Sequence, residues 1–221
     1  MKNLLKYFVT RTYRPLLIKY LSATRTYIYK GIVISVPREV FHPGFFFSTK
    51  LLLRYISQQP LFQRSFLELG AGSGLISIFA ARQGANVTAT DINPVAVEFL
   101  EKNRNRNAVE FKIIHSDLFD RIPVRSFDWI AINPPYYKKK PRTDADYAWY
   151  CGENGEYFDQ LFSGLGNYMH SGSNCLLILC EGCDMKMVSD LAQRYGFHLQ
   201  CVFRKKNLLE ENFIFKIERP R

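Results

Sequence analysis

Asn133-Pro134-Pro135-Tyr136 brings together, in four residues, the groups needed to hold a planar amino group. The Asn133 carboxamide oxygen and the Pro134 carbonyl are both hydrogen-bond acceptors. The prolines fix those carbonyls in an extended turn, and Tyr136 offers a flat face for stacking. An amide or aromatic amine, a poor nucleophile, would be pinned there with its nitrogen facing an incoming group. The tetrapeptide closes the apolar run Phe127-Asp128-Trp129-Ile130-Ala131-Ile132, which reads as a buried parallel strand. It therefore sits where such a strand opens into a crevice. On these residues alone, an ordinary strand-ending turn reads the same way.

A second half-site lies upstream. The short apolar strand Ser65-Phe66-Leu67-Glu68-Leu69 runs into Gly70-Ala71-Gly72-Ser73-Gly74 and then a helical stretch from Leu75 to Arg82. Glycines there let the chain turn tightly and let a ligand approach the main chain. Many nucleotide folds share such a loop. A further strand, Val87-Thr88-Ala89-Thr90-Asp91, ends in an acid about 20 residues on, placed to accept from both ribose hydroxyls of a nucleoside. The G-x-G-x-G spacing departs from the dinucleotide pattern and no arginine for a pyrophosphate is evident. A nucleoside without phosphates is favoured over NAD.

With these motifs in order, the chain resembles the class I S-adenosylmethionine-dependent methyltransferases, in particular their HemK-like branch. The resemblance runs through Glu68 to Gly74, Asp91-Ile92-Asn93, Ser116-Asp117-Leu118-Phe119 and Asn133 to Tyr136, and covers about Val36 to the C-terminus. It implies S-adenosylmethionine as cofactor and no metal. The loop of Gly70, Ala71, Gly72 and Gly74 would pass under its methionine part, with Glu68 near the amino group. Asp91, with Ile92 beside it, would hold the ribose, and Asp117 with the Leu118 backbone would read the adenine. Asn133, Pro134, Pro135 and Tyr136 would hold the substrate nitrogen. Thr49, within Val40-Phe41-His42-Pro43-Gly44-Phe45-Phe46-Phe47-Ser48-Thr49, matches a threonine at the entrance of the cofactor pocket, although Ser48 and Lys50 replace the acidic flanks common in that branch. At least one of Phe45, Phe46 and Phe47 is expected to wall the pocket, and His42 is a candidate for touching substrate. Plainer roles stay open: Asp117 as a cap or turn residue, Glu68 as a satisfied strand carboxylate, Ser73 and Asn93 as helix starts.

Composition sets outer bounds. At 221 residues and 47% hydrophobic, the chain suffices for one α/β domain with a small addition. No stretch approaches about 20 consecutive apolar residues, which excludes a membrane-spanning helix. Five cysteines, mostly in apolar runs, suggest reduced thiols in a cytoplasmic protein. Cys180-Glu181-Gly182-Cys183 would need partners such as Cys175, His170 or Cys201 to act as a redox or zinc site, so core thiols are the expectation. Lys2, Lys6, Arg11, Arg14, Lys19, Arg25, Lys30 and Arg38 precede the first acid, Glu39, and supply most of the net +10. Leu4, Leu5, Phe8, Leu16, Leu17, Tyr20 and Leu21 fall on a rough helical face. This basic segment reads as an arm for polyanions, a cleaved presequence, or a helix with a solvated basic face.

These parts imply an α/β, Rossmann-like fold. A seven-stranded, mostly parallel sheet with a C-terminal antiparallel hairpin carries helices on both faces, after a short basic N-terminal helical extension. Strands are expected near 65–70, 86–91, 110–115, 127–132, 174–180, 199–204 and 212–218, with helices near 48–58, 74–84, 94–104, 155–169 and 184–196. Residues 1–38, with a strand pair turning at Gly31, form the extension, and 39–221 the methyltransferase domain. The chemistry implied is transfer to an amide or amine nitrogen, in which proximity and orientation supply most of the acceleration. A protein glutamine is favoured as acceptor, on the HemK-like Gly152-Glu153-Asn154-Gly155-Glu156 and the closing hairpin. The exocyclic amine of a base in RNA or DNA is the alternative, because Lys138-Lys139-Lys140 after Tyr137 could grip phosphates beside a flipped base. A non-catalytic binding module is a third reading.

Overall fold

Two packed cores on opposite faces of one sheet explain the apolar strands. Phe66, Trp129, Ala131, Leu176 and Ile178 face one core, while their neighbours Leu67, Ile130, Ile132, Cys175, Leu177 and Leu179 face the other. Successive strand residues point to opposite faces, so a strand covered on both reads as a continuous hydrophobic run. The computed structural model describes residues 22–207 and 210–219. The helical face expected between Leu4 and Leu21 lies outside the described residues.

A hairpin, β1 (Arg25–Tyr29) and β2 (Ile32–Val36), comes first. Lys30 and Gly31 both take positive φ, 47° and 77°, as a tight two-residue hairpin turn requires. Then follow α1 (Phe47–Ile56), β3 (Ser65–Leu69), α2 (Leu75–Arg82), β4 (Asn86–Asp91), α3 (Pro94–Arg106), β5 (Lys112–His115) and β6 (Phe127–Ile132). After a long excursion come α4 (Glu156–Leu165), β7 (Met169–Cys180), α5 (Met185–Arg194), β8 (His198–Lys206) and β9 (Glu211–Glu218). The seven-stranded sheet has the order β5-β4-β3-β6-β7-β9-β8. β5 through β7 run parallel, and β9 lies antiparallel between β7 and β8. Helices α1, α2 and α3 cover one face; α4 and α5 cover the other.

Two differences from the expected elements have local causes. The helix expected to reach residue 169 ends at Leu165 and tightens into a 3-10 turn, Gly166–Tyr168. β7 starts at Met169, not near 174, because Met169 pairs with Phe127 before the register shifts at the polar residues that follow. The N-terminal hairpin is tied to the main core. Ile32, Ile34 and Val36 are buried in it. The Asn103 and Asn107 carboxamides of α3 and its C-cap each exchange two hydrogen bonds, 2.7–3.1 Å, with the backbones of Ser35 and Val33. Among the described residues no helix is long and apolar enough to cross a membrane.

Candidate active site

Four consecutive parallel strands place one polar side chain each at their carboxyl ends. Glu68 comes from β3, Asp91 from β4, Asp117 from the turn after β5, and Asn133 from the residue after β6; all four line one cavity. A crevice beyond the strand ends is where open α/β sheets bind ligands.

One carboxylate organises its floor. Asp91 Oδ2 accepts from the Gly72 N–H at 2.8 Å and Oδ1 from the Asn93 N–H at 2.9 Å, tying the loop after β3 to the loop after β4. Each oxygen retains a lone pair for a ligand. Burial raises the Asp91 pKa against these bonds. The loop needs glycine: Gly70, Gly72 and Gly74 have φ of 71°, 53° and 85°, a region costly for residues with a Cβ. Glu68 is buried and accepts a short hydrogen bond from the Ser77 hydroxyl. Burial, with Asp91 nearby, pushes it up to about 8. Among the described residues no cation pairs with it, so a ligand carrying positive charge fits this wall.

The adjoining wall is strained. Leu118 sits at φ 40°, unfavourable for a leucine, and the Ser116 hydroxyl donates to its carbonyl at 3.1 Å. Asp117 is half-buried; burial, then Asp120, raises its pKa, while a hydrogen bond from Gln160 opposes them. Its carbonyl also accepts from the Asp120 N–H at 3.0 Å, so the turn role and the cavity position coincide.

At the other end, the Asn133 carboxamide nitrogen donates to the Thr49 hydroxyl at 3.2 Å, which leaves its oxygen to accept from a ligand. Tyr136 is half-buried; burial, then the nearby Cys180, raises its pKa. Beyond it the chain folds back on itself. Tyr137 N–H donates to Trp149 O at 3.0 Å, Cys151 N–H to Tyr137 O at 3.0 Å, and Gly152 N–H to Lys139 O at 3.2 Å. This flap brings Asp144, Tyr147 and Trp149 to the cavity wall.

Of the residues singled out in the sequence, Thr49, Glu68, Gly70, Ala71, Gly72, Asp91, Ile92, Asp117, Leu118, Asn133, Pro134, Pro135 and Tyr136 line the cavity. Gly74 does not. It caps α2, and a Cβ there would meet Leu100 Cδ1 at 2.2 Å. The aromatic wall is Phe41 rather than Phe45, Phe46 or Phe47. Phe46 stacks behind Phe41 at 4.3 Å, and both rings pack on Trp149. His42 turns away from the cavity: it is 4% exposed, its Nδ1 accepts from the Gly44 N–H, and its ring lies against Tyr27 and Phe45. Asn93 is the N-cap of α3 through its bond from Val95 N–H at 2.9 Å, and also lines the cavity. Ser73 lines it too, but makes no capping bond. Cys180 and Cys183 are buried free thiols, and no group of three ligands able to hold a metal exists among the described residues. Sequence reasoning missed Phe41, Trp149 and Tyr157 as cavity residues. Trp149 lies in an aperiodic stretch, and Tyr157 read only as part of the helix expected near 155–169.

The family profile described as methyltransferase small domain matches residues 38–150. A Methanocaldococcus jannaschii protein, provisionally assigned as a protein N5-glutamine methyltransferase, is 30% identical over 188 residues, covering 82% of this chain and 93% of its own. The E. cuniculi Mtq2–Trm112 complex, which methylates the eRF1 translation termination factor, superposes with a TM-score of 0.63 at 24% identity, covering 82% of this chain and 99% of that one. A T. thermophilus 16S rRNA methyltransferase solved with AdoMet and guanosine gives a TM-score of 0.63 at 20% identity, covering 89% of this chain and 50% of that one.

Proposed function

This chain belongs to the methyltransferase small-domain family and is an S-adenosylmethionine-dependent methyltransferase; we propose that its acceptor is the side-chain amide nitrogen of a protein glutamine. The observation that carries this reading is the pairing of Asn133 with Thr49 in a cavity that the buried Glu68 and the partly buried Asp91 also line. The near-full-length similarity to a protein assigned to glutamine methylation supports the same choice.

In this reading Asp91 holds the cofactor ribose, Asp117 and the Leu118 backbone its adenine, and Glu68 its amino group. Bound there, the cofactor supplies an electrophilic methyl group on a sulfonium, already a good leaving group. The chain's own residues orient the acceptor. An amide nitrogen has its lone pair delocalised into the carbonyl and attacks poorly. Asn133 Oδ1 and the Pro134 carbonyl accept hydrogen bonds from its two N–H groups, which favours a more tetrahedral nitrogen with its lone pair aimed along the attack line. As the methyl–sulfur bond breaks and the methyl–nitrogen bond forms, the nitrogen becomes acidic and releases one proton to solvent. Pro134 and Pro135 keep the acceptors from relaxing, and Tyr136 with Phe41 and Trp149 excludes water. The free cysteines suit a cytoplasmic setting, which is part of the proposal.

Transfer to an exocyclic amine of RNA or DNA is the second reading, favoured by the ring-lined mouth and by the relative solved with guanosine. Radiolabelled S-adenosylmethionine incubated with total protein and with total RNA separates the two. Methylglutamine in hydrolysed protein supports the first; label confined to methylated bases in digested RNA overturns it.

A further inference from the structure

Tyr157 is a polar cavity residue to which the proposed reaction assigns no task. It stands in the first turn of α4, behind a turn built on Gly152 and Gly155, whose φ values are 91° and 81°. Its position is fixed from both sides. Its N–H donates to Cys151 O at 3.1 Å, and Cys151 N–H donates in turn to Tyr137 O, beside the acceptor tetrapeptide. Its ring meets Phe158 edge-on at 5.4 Å, and Phe158 is fully buried in the second core. The side chain therefore has little freedom, and it lines the same cavity as Asp91 and Asp117.

Its hydroxyl has no hydrogen-bond partner among the described residues, whereas the phenols of Tyr168 and Tyr195 are both hydrogen-bonded. Tyr157 is partly buried against the second core and lines the cavity, so its unpaired hydroxyl is open to a ligand that fills it. Burial, and then the charges of Asp117 and Asp91, hold the phenol protonated far above neutral pH, so it is available as a donor. The cofactor's methionine end offers an ammonium and a sulfonium, which accept nothing, and a carboxylate that the two aspartates repel. Adenine ring nitrogens and ribose oxygens are neutral acceptors.

We propose that the Tyr157 hydroxyl donates a hydrogen bond to the adenosine part of S-adenosylmethionine, making the first turn of α4 a cofactor-binding element. This rests on the cavity being the cofactor site, but not on the identity of the acceptor. Tyr157→Phe keeps the ring and its packing and deletes only the donor. Calorimetry with S-adenosylhomocysteine, without any acceptor present, is expected to show affinity weakened about fivefold to tenfold. The melting temperature of the ligand-free variant should equal or exceed that of the parent, because the hydroxyl has no internal partner to lose. Turnover at saturating S-adenosylmethionine should stay within about threefold, so the loss appears in the donor KM. Affinity for S-adenosylhomocysteine within twofold of the parent, or a change in the acceptor KM alone, would overturn the assignment. A lowered melting temperature of the free variant would do the same, since it would reveal an internal role for the hydroxyl.

Discussion

Asn133 Nδ2 and Thr49 Oγ1 lie 3.2 Å apart, joining the turn after β6 to the first turn of α1 across 84 residues of sequence. The bond orients the carboxamide: with its nitrogen engaged, the oxygen is the atom left for an incoming amino group. Thr49 thus positions Asn133 as well as lining the same cavity.

From that relationship, Asn133→Ala should bind S-adenosylmethionine within about threefold of the parent, yet lose at least about a hundredfold in kcat. Thr49→Val, which frees the carboxamide to rotate, should lose about fivefold to thirtyfold in kcat. Single-turnover kinetics with calorimetric cofactor affinities checks both. A kcat loss below tenfold in Asn133→Ala, about 1.4 kcal/mol of barrier, would remove Asn133 from the acceptor site.

Asp91 has two duties that separate experimentally. Replacement by alanine deletes the acceptor for the Gly72 and Asn93 N–H groups, so the free protein should melt at lower temperature. It also deletes the proposed ribose contacts, so cofactor affinity should fall at least about tenfold, in line with charge-assisted hydrogen bonds of about 1.5–3 kcal/mol each. Asp91→Asn keeps one acceptor oxygen and should recover part of the stability but little of the affinity. Unchanged affinity in Asp91→Ala, measured by calorimetry, would move the ribose elsewhere.

Much of this was legible in the sequence for a definite reason. β3, β4 and β6 are covered on both faces, so Trp129 to Ile132 reads as an unbroken apolar run and Phe66 to Leu69 as one interrupted only by Glu68. Their polar terminators, Asp91 and Asn133, mark the crevice. What the sequence hid were contacts between distant segments. Nothing near Gly74 announces Leu100, whose close approach gives that glycine a packing role. Trp149 reaches the cavity through the backbone pairing of 137–139 with 149–152, a long excursion without periodicity. His42 precedes a proline-glycine break that suggests an exposed loop, yet Tyr27 of the hairpin covers it.

Gly74 gives a prediction about stability alone. Gly74→Ala puts a Cβ at φ 85° and 2.2 Å from the buried Leu100 Cδ1. Backbone strain and overpacking together should cost about 2–4 kcal/mol. Urea unfolding should report that loss, and saturating S-adenosylhomocysteine should restore part of it. A loss under about 0.5 kcal/mol would mean that α2 and α3 separate easily.

The buried Glu68 gives a pH dependence of definite sign. Its carboxyl titrates at 4.5 when unperturbed and at about 8 in the folded chain. A folded-state value above the unfolded one contributes stability that is fully present below pH 4.5 and lost as pH rises through about 8. Between those limits the ligand-free protein should lose up to about 1.4 kcal/mol per pH unit from this group. A cationic ligand beside Glu68 favours the carboxylate, so S-adenosylmethionine binding at pH 7 should release a proton and tighten as pH rises toward 8. Calorimetry in two buffers of different ionisation enthalpy measures that proton directly. Glu68→Gln should abolish the release. Equal apparent enthalpies in both buffers for the parent protein would contradict a protonated Glu68 in the free cavity.

The lysine run after the tetrapeptide tests the acceptor class in a different way. Lys138 already pairs with Asp184 at 3.0 Å, and Lys139 lies over the Tyr150 ring at 4.7 Å. Two of the three cations are thus engaged within the fold, which leaves Lys140 as the freest of them to meet a phosphate. Changing all three to glutamine should lower the salt slope of RNA binding by no more than about one contact's worth, roughly 0.7–0.9 in log–log units. For a protein acceptor, the same variant should slow association at low salt and leave kcat within about twofold. The basic residues before Glu39 will attract polyanions in either case, so binding is not diagnostic and transfer must be measured. A salt slope reduced by two or more contacts, together with loss of methyl transfer to RNA, would show that this loop grips nucleic acid and would favour a base over glutamine.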